Sequence, residues 1–304
     1  MLPEVEILDF AGPLQAFGEA NASRARYRTR VCSPQRRIVA QQGVVLADLD
    51  PLPDGVTPET IVIVPGMPYH ATQKIDRSVT RWLASAARIG AHVASVCTGA
   101  FALGEAGLLD GKRCTTHWKR TSELARRFPR ARVLEDRLYV TEDNVTTSAG
   151  IASGIDMALA FIEQADGPIV AAEVAREMVV YLRRDGTQEQ SSVYLDFRTH
   201  IHPGVHRVQD WIVRNPADRV TIEELADRAG MSVRSLTRTF RAATGISVHD
   251  FTTRVRIELA RSLMNDPAMT MEAVARRCGF ATARQLRRLF ENEHPVRNRT
   301  ARSA

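Results

Sequence analysis

The sequence predicts two folded parts, an α/β domain with a mainly parallel sheet over residues 1–183 and an all-α domain over residues 204–304, joined by a linker at 184–203. Three observations carry this reading. Short apolar runs alternate with helix-spaced segments as far as residue 183, the pattern of strands crossed over by helices. Strand patterns then stop, and the remainder reads as short capped helices. The charge is segregated as well: His200 to Ala304 holds 18 Arg, no Lys and 11 acidic residues, a balance of +7, against −1 for the rest of the chain. At 304 residues, each part is long enough to bury its own core.

Taken in order, residues 5–10 and 60–65 read as buried strands. Residues 76–89 have helical spacing through Val79, Trp82, Leu83 and Ala86, and residues 91–96 form another short apolar strand. Strand-like runs recur at 138–141 and 145–147, followed by helix patterns at 153–163 and 169–183. Residues 183–192 are polar and contain Gly186, which marks a linker, extending to Pro203.

Composition excludes several classes. The four cysteines, Cys32, Cys97, Cys114 and Cys278, show no CxxC pair or His/Cys ligand spacing, so neither a metal site nor a disulfide framework is expected, and no cofactor is called for. No apolar run approaches the roughly 18 residues of a membrane helix. Glu4 and Glu6 stand where a signal peptide would be basic, so a soluble protein in a reducing cytoplasm is expected. The arginine-only excess suits phosphates and guanine edges, although a solvated basic face would look the same.

Residues 221–240 are the most specific stretch. Thr221 with Glu224 forms a capping box, and Ala226 is small enough for a second helix to pack closely. Gly230 suits a turn that needs positive φ, and Ser232 can cap the next helix. That helix turns Val233, Leu236 and Phe240 inward, leaving Arg234, Thr237, Arg238 and Arg241 outside. The pattern recurs at 269–290, where Ala275 and Gly279 take the roles of Ala226 and Gly230. There Leu286, Leu289 and Phe290 turn inward, while Arg284, Arg287 and Arg288 turn out. One such pattern is a helical core about as often as a DNA reader. Two in tandem on the only basic segment, joined by a helix at 248–264, point to double-stranded DNA read in successive major grooves.

Residues 232–245, 256–264 and 273–280 resemble the DNA-binding domain of AraC/XylS-type regulators, over 204–290. The resemblance implies that Arg234, Thr237 and Arg238 face bases from the first unit, and Arg284, Arg287 and Arg288 from the second. The family's closing Gly-x-x-Pro-x-x-Tyr-Arg turn is replaced at 292–302 by a segment without that Gly or Tyr.

In the first domain, residues 94–100 place Cys97 between a strand and a helix, with Ser95 and Gly99 small enough for a sharp bend. A helix N-terminus there would favour the thiolate, though a cysteine among small residues is more often simply buried. The core reading is favoured for Cys32 and Cys114, and Cys278 falls where a helix-packing residue belongs.

Residues 7–13, 62–66, 95–99 and 107–118 resemble the PfpI-type branch of the class I glutamine amidotransferase superfamily, which implies a flavodoxin-like α/β sandwich. That likeness makes Cys97 the reactive residue, with His117, 20 positions on, near it. Isonitrile hydratases of this branch use an Asp after the first strand and a Cys-Thr pair, matching Asp9, Cys97 and Thr98. Met67 stands where relatives commonly have a second Gly. The two likenesses in this order are the architecture of GlxA-type AraC-family regulators.

The resemblance therefore implies a homodimeric transcription regulator controlled by a small effector, such as an amino acid or another nitrogenous metabolite. It would be held near Asp9, Cys97, Thr98 and His117. A cysteine enzyme of the isonitrile hydratase or amidase type with an accessory DNA-binding domain is the first alternative. A domain that merely dimerises is the second.

Overall fold

The structure, a computed structural model, describes residues 1–23, 27–68, 75–180, 184, 186, 190, 196–264 and 269–293, without the side chains of Ser23 and residues 291–293. The chain divides into two compact units, Met1–Gln190 and Ser191–Ala304.

In the first unit, α1 (Ile7–Ser23) precedes a small antiparallel hairpin, β1 (Ile38–Val39) and β2 (Val45–Leu46). Then come β3 (Ile61–Val64), α2 (Arg77–Ile89), β4 (His92–Val96) and α3 (Gly99–Glu105). The short strands β5 (Arg113–Cys114) and β6 (Arg132–Val133) pair in parallel around a 3-10 turn (Trp118–Arg120) and α4 (Thr121–Arg127). After them follow β7 (Tyr139–Glu142), β8 (Val145–Ser148), α5 (Ala152–Asp166) and α6 (Pro168–Glu177).

The main sheet has the order β3-β4-β8-β7, parallel except for β7. Alternate residues of its strands feed two cores, as a sheet covered on both faces requires. Val64, Val93 and Val145 join Leu83 of α2 and Phe101 and Leu103 of α3 on one face. Ile61, Ile63, Ala94 and Val96 meet Ala16 and Phe17 of α1, Met157 and Ile162 of α5, and Val170 of α6 on the other. The result is the three-layer, flavodoxin-like sandwich that the resemblance implies. Asp76 caps α2 by accepting from the Ser78 N–H at 2.7 Å, and Gly90 closes it at φ 101°.

Two expected elements differ. The run at 5–10, read as a strand, becomes helical from Ile7. The backbone of residues 4–6 does hydrogen-bond across to Val39, Gln41 and Gly66, although Glu4 sits in a turn at φ 58°. From Ile7 the apolar positions follow helical spacing instead, with Ile7 and Phe10 against the hairpin and Ala16, Phe17 and Ala20 against the sheet. A short apolar run carries too little periodicity to separate the two cases. The helix expected at 169–183 ends at Glu177, with Val179 at φ 54°; residues 181–183 lie outside those described. The core reading of Cys114 is met by full burial, whereas Cys32 is only half-buried, in an isolated bridge to Asp50.

The second unit is helical: α7 (Pro203–Arg214), α8 (Ile222–Ala229), α9 (Val233–Thr244), α10 (Val248–Met264), α11 (Met271–Arg277) and α12 (Ala283–Glu293). The capping box forms as the sequence predicts. Thr221 Oγ1 accepts from the Glu224 N–H, and the Glu224 carboxylate accepts from the Thr221 N–H. Gly230 and Gly279 make their turns at φ 70° and 75°, and a Cβ at Gly279 would fall 2.8 Å from the Ala217 carbonyl. Ser232 caps α9 by accepting from Ser235.

One helix, α10, serves two cores. Val248, Phe251 and Val255 complete the first with Leu225, Leu236 and Phe240; Ile257 and Ala260 join the second with Val274, Cys278 and Leu286. At about 1.5 Å per residue this helix is about 25 Å long, and it fixes the separation of the two helix-turn-helix units.

Candidate functional site

The Cys97 site lies where β3, β4 and β8 run out, at the carboxyl ends of three parallel strands, the usual binding edge of such a sheet. Cys97 follows β4 at φ 56°, a left-handed conformation that a non-glycine residue adopts at a cost of about 1–3 kcal/mol. It is pinned there from both sides. Its N–H donates to the Ser148 carbonyl at 3.0 Å, and its own carbonyl accepts from Thr116 Oγ1 at 2.7 Å. Gly99 lets α3 start against β3, since a Cβ there would fall 2.2 Å from the Val64 carbonyl. Gly66 and Gly150 wall in the thiol, and a Cβ on Gly150 would lie 3.0 Å from Sγ.

Asp9, in the first turn of α1, is fully buried beneath this elbow. Oδ2 accepts from the Gly66 N–H at 3.0 Å and Oδ1 from the Ile151 N–H at 2.8 Å. Burial still dominates, and it pushes the carboxyl up to about 6 from 3.8. Cys97 lies close enough to this carboxyl for the two charges to interact. Burial and then the Asp9 charge push the thiol up to about 12. Burial and the Asp9 charge act against the thiolate that a helix N-terminus favours, and α3 spans only seven residues. At neutral pH the pair is a thiol on a carboxylate.

Thr98 and His117 are otherwise engaged. Thr98 Oγ1 donates to the Met67 carbonyl at 2.5 Å and accepts from the Met67 N–H at 2.9 Å. His117 caps the 3-10 turn, its Nδ1 accepting from the Lys119 N–H at 3.3 Å, and its ring stacks on exposed Trp118. Burial and neighbouring Lys119 and Arg120 hold the imidazole below its usual range. It is the preceding residue, Thr116, that touches Cys97. Two open hollows, of about 470 and 530 Å³, are lined by residues such as Arg30, Val45 and Asp50, or Glu4, Val39 and Pro68, and neither includes Asp9 or Cys97. Chemistry rather than volume marks this site.

Sequence reasoning missed Thr116, Gly66, Gly150 and Ile151 as its structural partners. Gly66 and Thr116 both fell within motifs that had been recognised, but their contacts span at least 19 residues and leave no local pattern.

In the helical unit, α9 exposes Arg234, Thr237, Arg238 and Arg241, while Leu236 and Phe240 are fully buried. On α12, Arg284, Arg287 and Arg288 are exposed and Leu286 is buried. Each helix thus presents one arginine-rich face. Arg287 stands 3.9 Å from Glu272, both well exposed, which leaves the cation available. Thr237 donates its hydroxyl to the Val233 carbonyl at 2.9 Å. Residues 294–302, where the closing turn of the family is altered, lie outside the described residues. Among the described residues, no cluster of His, Cys, Asp or Glu could hold a metal, and no helix is long and apolar enough to cross a membrane.

Residues 225–297 match the model of a helix-turn-helix domain. The chain is 28% identical over 290 residues to the HTH-type transcriptional regulator GbdR of Pseudomonas aeruginosa, a match covering 93% of this chain and 77% of that one. It is 26% identical over 295 residues to the HTH-type transcriptional regulator GlxA of Rhizobium meliloti, covering 94% and 88%. Likeness to the isonitrile hydratase of Pseudomonas putida is 30% over 167 residues, covering 55% of this chain and 70% of the enzyme. Residues 1–164, more than half of the sequence, match the DJ-1/PfpI model, so the chain belongs to the DJ-1/PfpI family, in the branch that carries a C-terminal AraC-type helix-turn-helix domain.

Proposed function

We propose that the chain is a sequence-specific, double-stranded DNA-binding transcription regulator whose α/β unit binds a small metabolite at the Asp9–Cys97 site. The observation that carries this is the pair of arginine-faced recognition helices, α9 and α12, held on one shared helix. Arg234, Thr237 and Arg238 would reach base edges from the first, and Arg284, Arg287 and Arg288 from the second. Full-length similarity to named transcriptional regulators supports the reading. Domain limits near 183 and 203, a homodimer on paired half-sites and a cytoplasmic location belong to the same proposal.

The enzyme alternative is disfavoured by the state of the site. Cys97 is held as a thiol, and the Gly66 and Met67 N–H groups, which could steady a developing oxyanion, are taken by Asp9 and Thr98. The effector class that the resemblance implies is a small nitrogenous compound, bound next to Cys97 above the buried Asp9. A thermal-shift screen of amino acids, amines and quaternary ammonium compounds tests this on the full chain. A true effector at a hundred times its dissociation constant stabilises the α/β unit by about 2.7 kcal/mol, and Asp9→Ala abolishes the shift. Turnover of an isonitrile or amide without any effector-dependent change in DNA occupancy would refute the regulator reading.

A further inference from the structure

We infer that Gln190 is a positioning residue for the Cys97 site, clamping the 115–117 loop that holds the Cys97 carbonyl, so that the segment leaving the α/β unit senses the state of that site. The sequence marks residues 183–192 as a polar linker, and within it Arg184 and Gln190 are both hydrogen-bonded to the α/β unit. Arg184 donates three times to Asp156: its N–H to Oδ1 at 3.2 Å, and Nε and Nη2 to Oδ2 at 3.1 and 2.7 Å. Asp156 is 4% exposed and sits on α5, the helix whose N-cap, Ile151, is held by Asp9. A Cβ on Gly186 would fall 2.4 Å from the Tyr139 carbonyl.

Gln190 closes the segment. Its Nε2 lies 2.9 Å from the Thr116 carbonyl, 2.9 Å from the Glu135 carbonyl and 3.2 Å from Thr115 Oγ1. Two of these partners can only accept, which fixes the amide with its NH2 inward. The clamped loop is rigid on its far side too. Thr115 Oγ1 donates to the Leu134 carbonyl, the Thr115 N–H donates to Thr147 Oγ1, and Thr116 Oγ1 donates to the Cys97 carbonyl. One residue, Thr116, therefore links Gln190 to the strained elbow. Gln190 is also the last residue of its compact unit. A ligand that shifts the Cys97 backbone acts on the end of the α/β unit through this loop, a contiguous packed route of the kind that can carry coupling.

The inference deepens the sensor reading and takes its purpose from it. Its test needs no DNA, so its failure and that of the regulator reading are separate results. In the full chain with Cys32→Ser, which removes the other half-buried thiol, Cys97 modification by 5,5′-dithiobis(2-nitrobenzoate) is followed by peptide mapping. Gln190→Glu, of the same shape but aiming a carboxylate at two carbonyls, raises the Cys97 rate about tenfold, the equivalent of one lost hydrogen bond. Coupling is reciprocal, so Thr116→Val, which keeps the Thr116 carbonyl for Gln190, speeds amide exchange across residues 184–190 by a similar factor. A Cys97 rate within twofold of the parent, or unchanged exchange at 184–190 in Thr116→Val, overturns the proposal. Should Gln190→Glu expose β4 to exchange, Gln190→Ala replaces it. Loss of β4 protection in both variants assigns Gln190 a purely structural role and likewise overturns it.

Discussion

Replacing Asp9 by Asn isolates the electrostatics of the Cys97 site. Asp9 receives two backbone donors on two different oxygens, from Gly66 and Ile151. Asn supplies one acceptor and one NH2, so one of those N–H groups faces another donor, which costs about 1–3 kcal/mol. Against this stands the buried charge. With the folded carboxyl raised from 3.8 to about 6, the folded state binds the proton more tightly than the unfolded one. The stability this contributes is fully present below about pH 4 and is lost as the pH rises through about 6; a shift of about two units amounts to about 3 kcal/mol. Asn does not titrate, so the stability difference between parent and variant moves by about 3 kcal/mol in the variant's favour between about pH 4 and pH 7.5. Other acids cancel in that difference. Urea unfolding of the full chain at the two pH values, read by pulse exchange of the β4 and β8 amides, separates this unit from the helical one. A difference that stays flat with pH would show that Asp9 keeps an ordinary carboxyl, and the thiol-on-carboxylate description would fall with it.

Three further outcomes follow from the same geometry. Cys97, pushed up to about 12, reacts with iodoacetamide at neutral pH more slowly than an ordinary thiol of pKa about 8.5, and Asp9→Ala, which removes the opposing charge, speeds it; a faster-than-ordinary rate in the parent would restore the nucleophile reading. Thr221→Ala removes one side of the capping box and lowers the stability of the helical unit by about 1 kcal/mol, measured by exchange in α8, with α5 unaffected. Phe240→Ala, at a fully buried position between Leu236 and Phe251, costs about 3–5 kcal/mol and abolishes DNA binding by unfolding the first helix-turn-helix unit. Retained binding in a folded variant would place the reading surface elsewhere.

The helical unit was legible almost residue by residue, because its signals are local. A capping box, two turn glycines and inward positions at three- and four-residue spacing each determine structure within a few residues of themselves. The β3 and β4 strands were legible as apolar runs between breakers, and β8 as a short β-branched run. The start of α1 was not, since the apolar positions Val5, Ile7, Leu8 and Phe10 fit a short strand as well as a helix, and only their contacts with the hairpin and with Gly66 decide. At the elbow, the bend around Cys97 could be read from its small neighbours, but its ionisation could not. That depends on how far burial of Asp9 outweighs two hydrogen bonds, a balance set by residues more than fifty positions apart. The contacts of the segment at 184–190 were illegible for the same reason. Its polar composition suggests a free linker, and its partners, Asp156, Tyr139 and the 115–116 loop, are all distant in sequence.

Arginines on α9 read DNA sequence in the regulator proposed above. The most direct measurement is binding of the full chain and of Arg238→Ala to a duplex selected by the parent from a random pool, beside an unselected duplex at the same salt. The parent is expected to enrich a defined site, and Arg238→Ala to weaken binding to it by about 1–3 kcal/mol while barely altering the unselected duplex. Equal losses on both duplexes would reduce Arg238 to a phosphate contact, and failure of the parent to enrich any sequence would contradict the account outright.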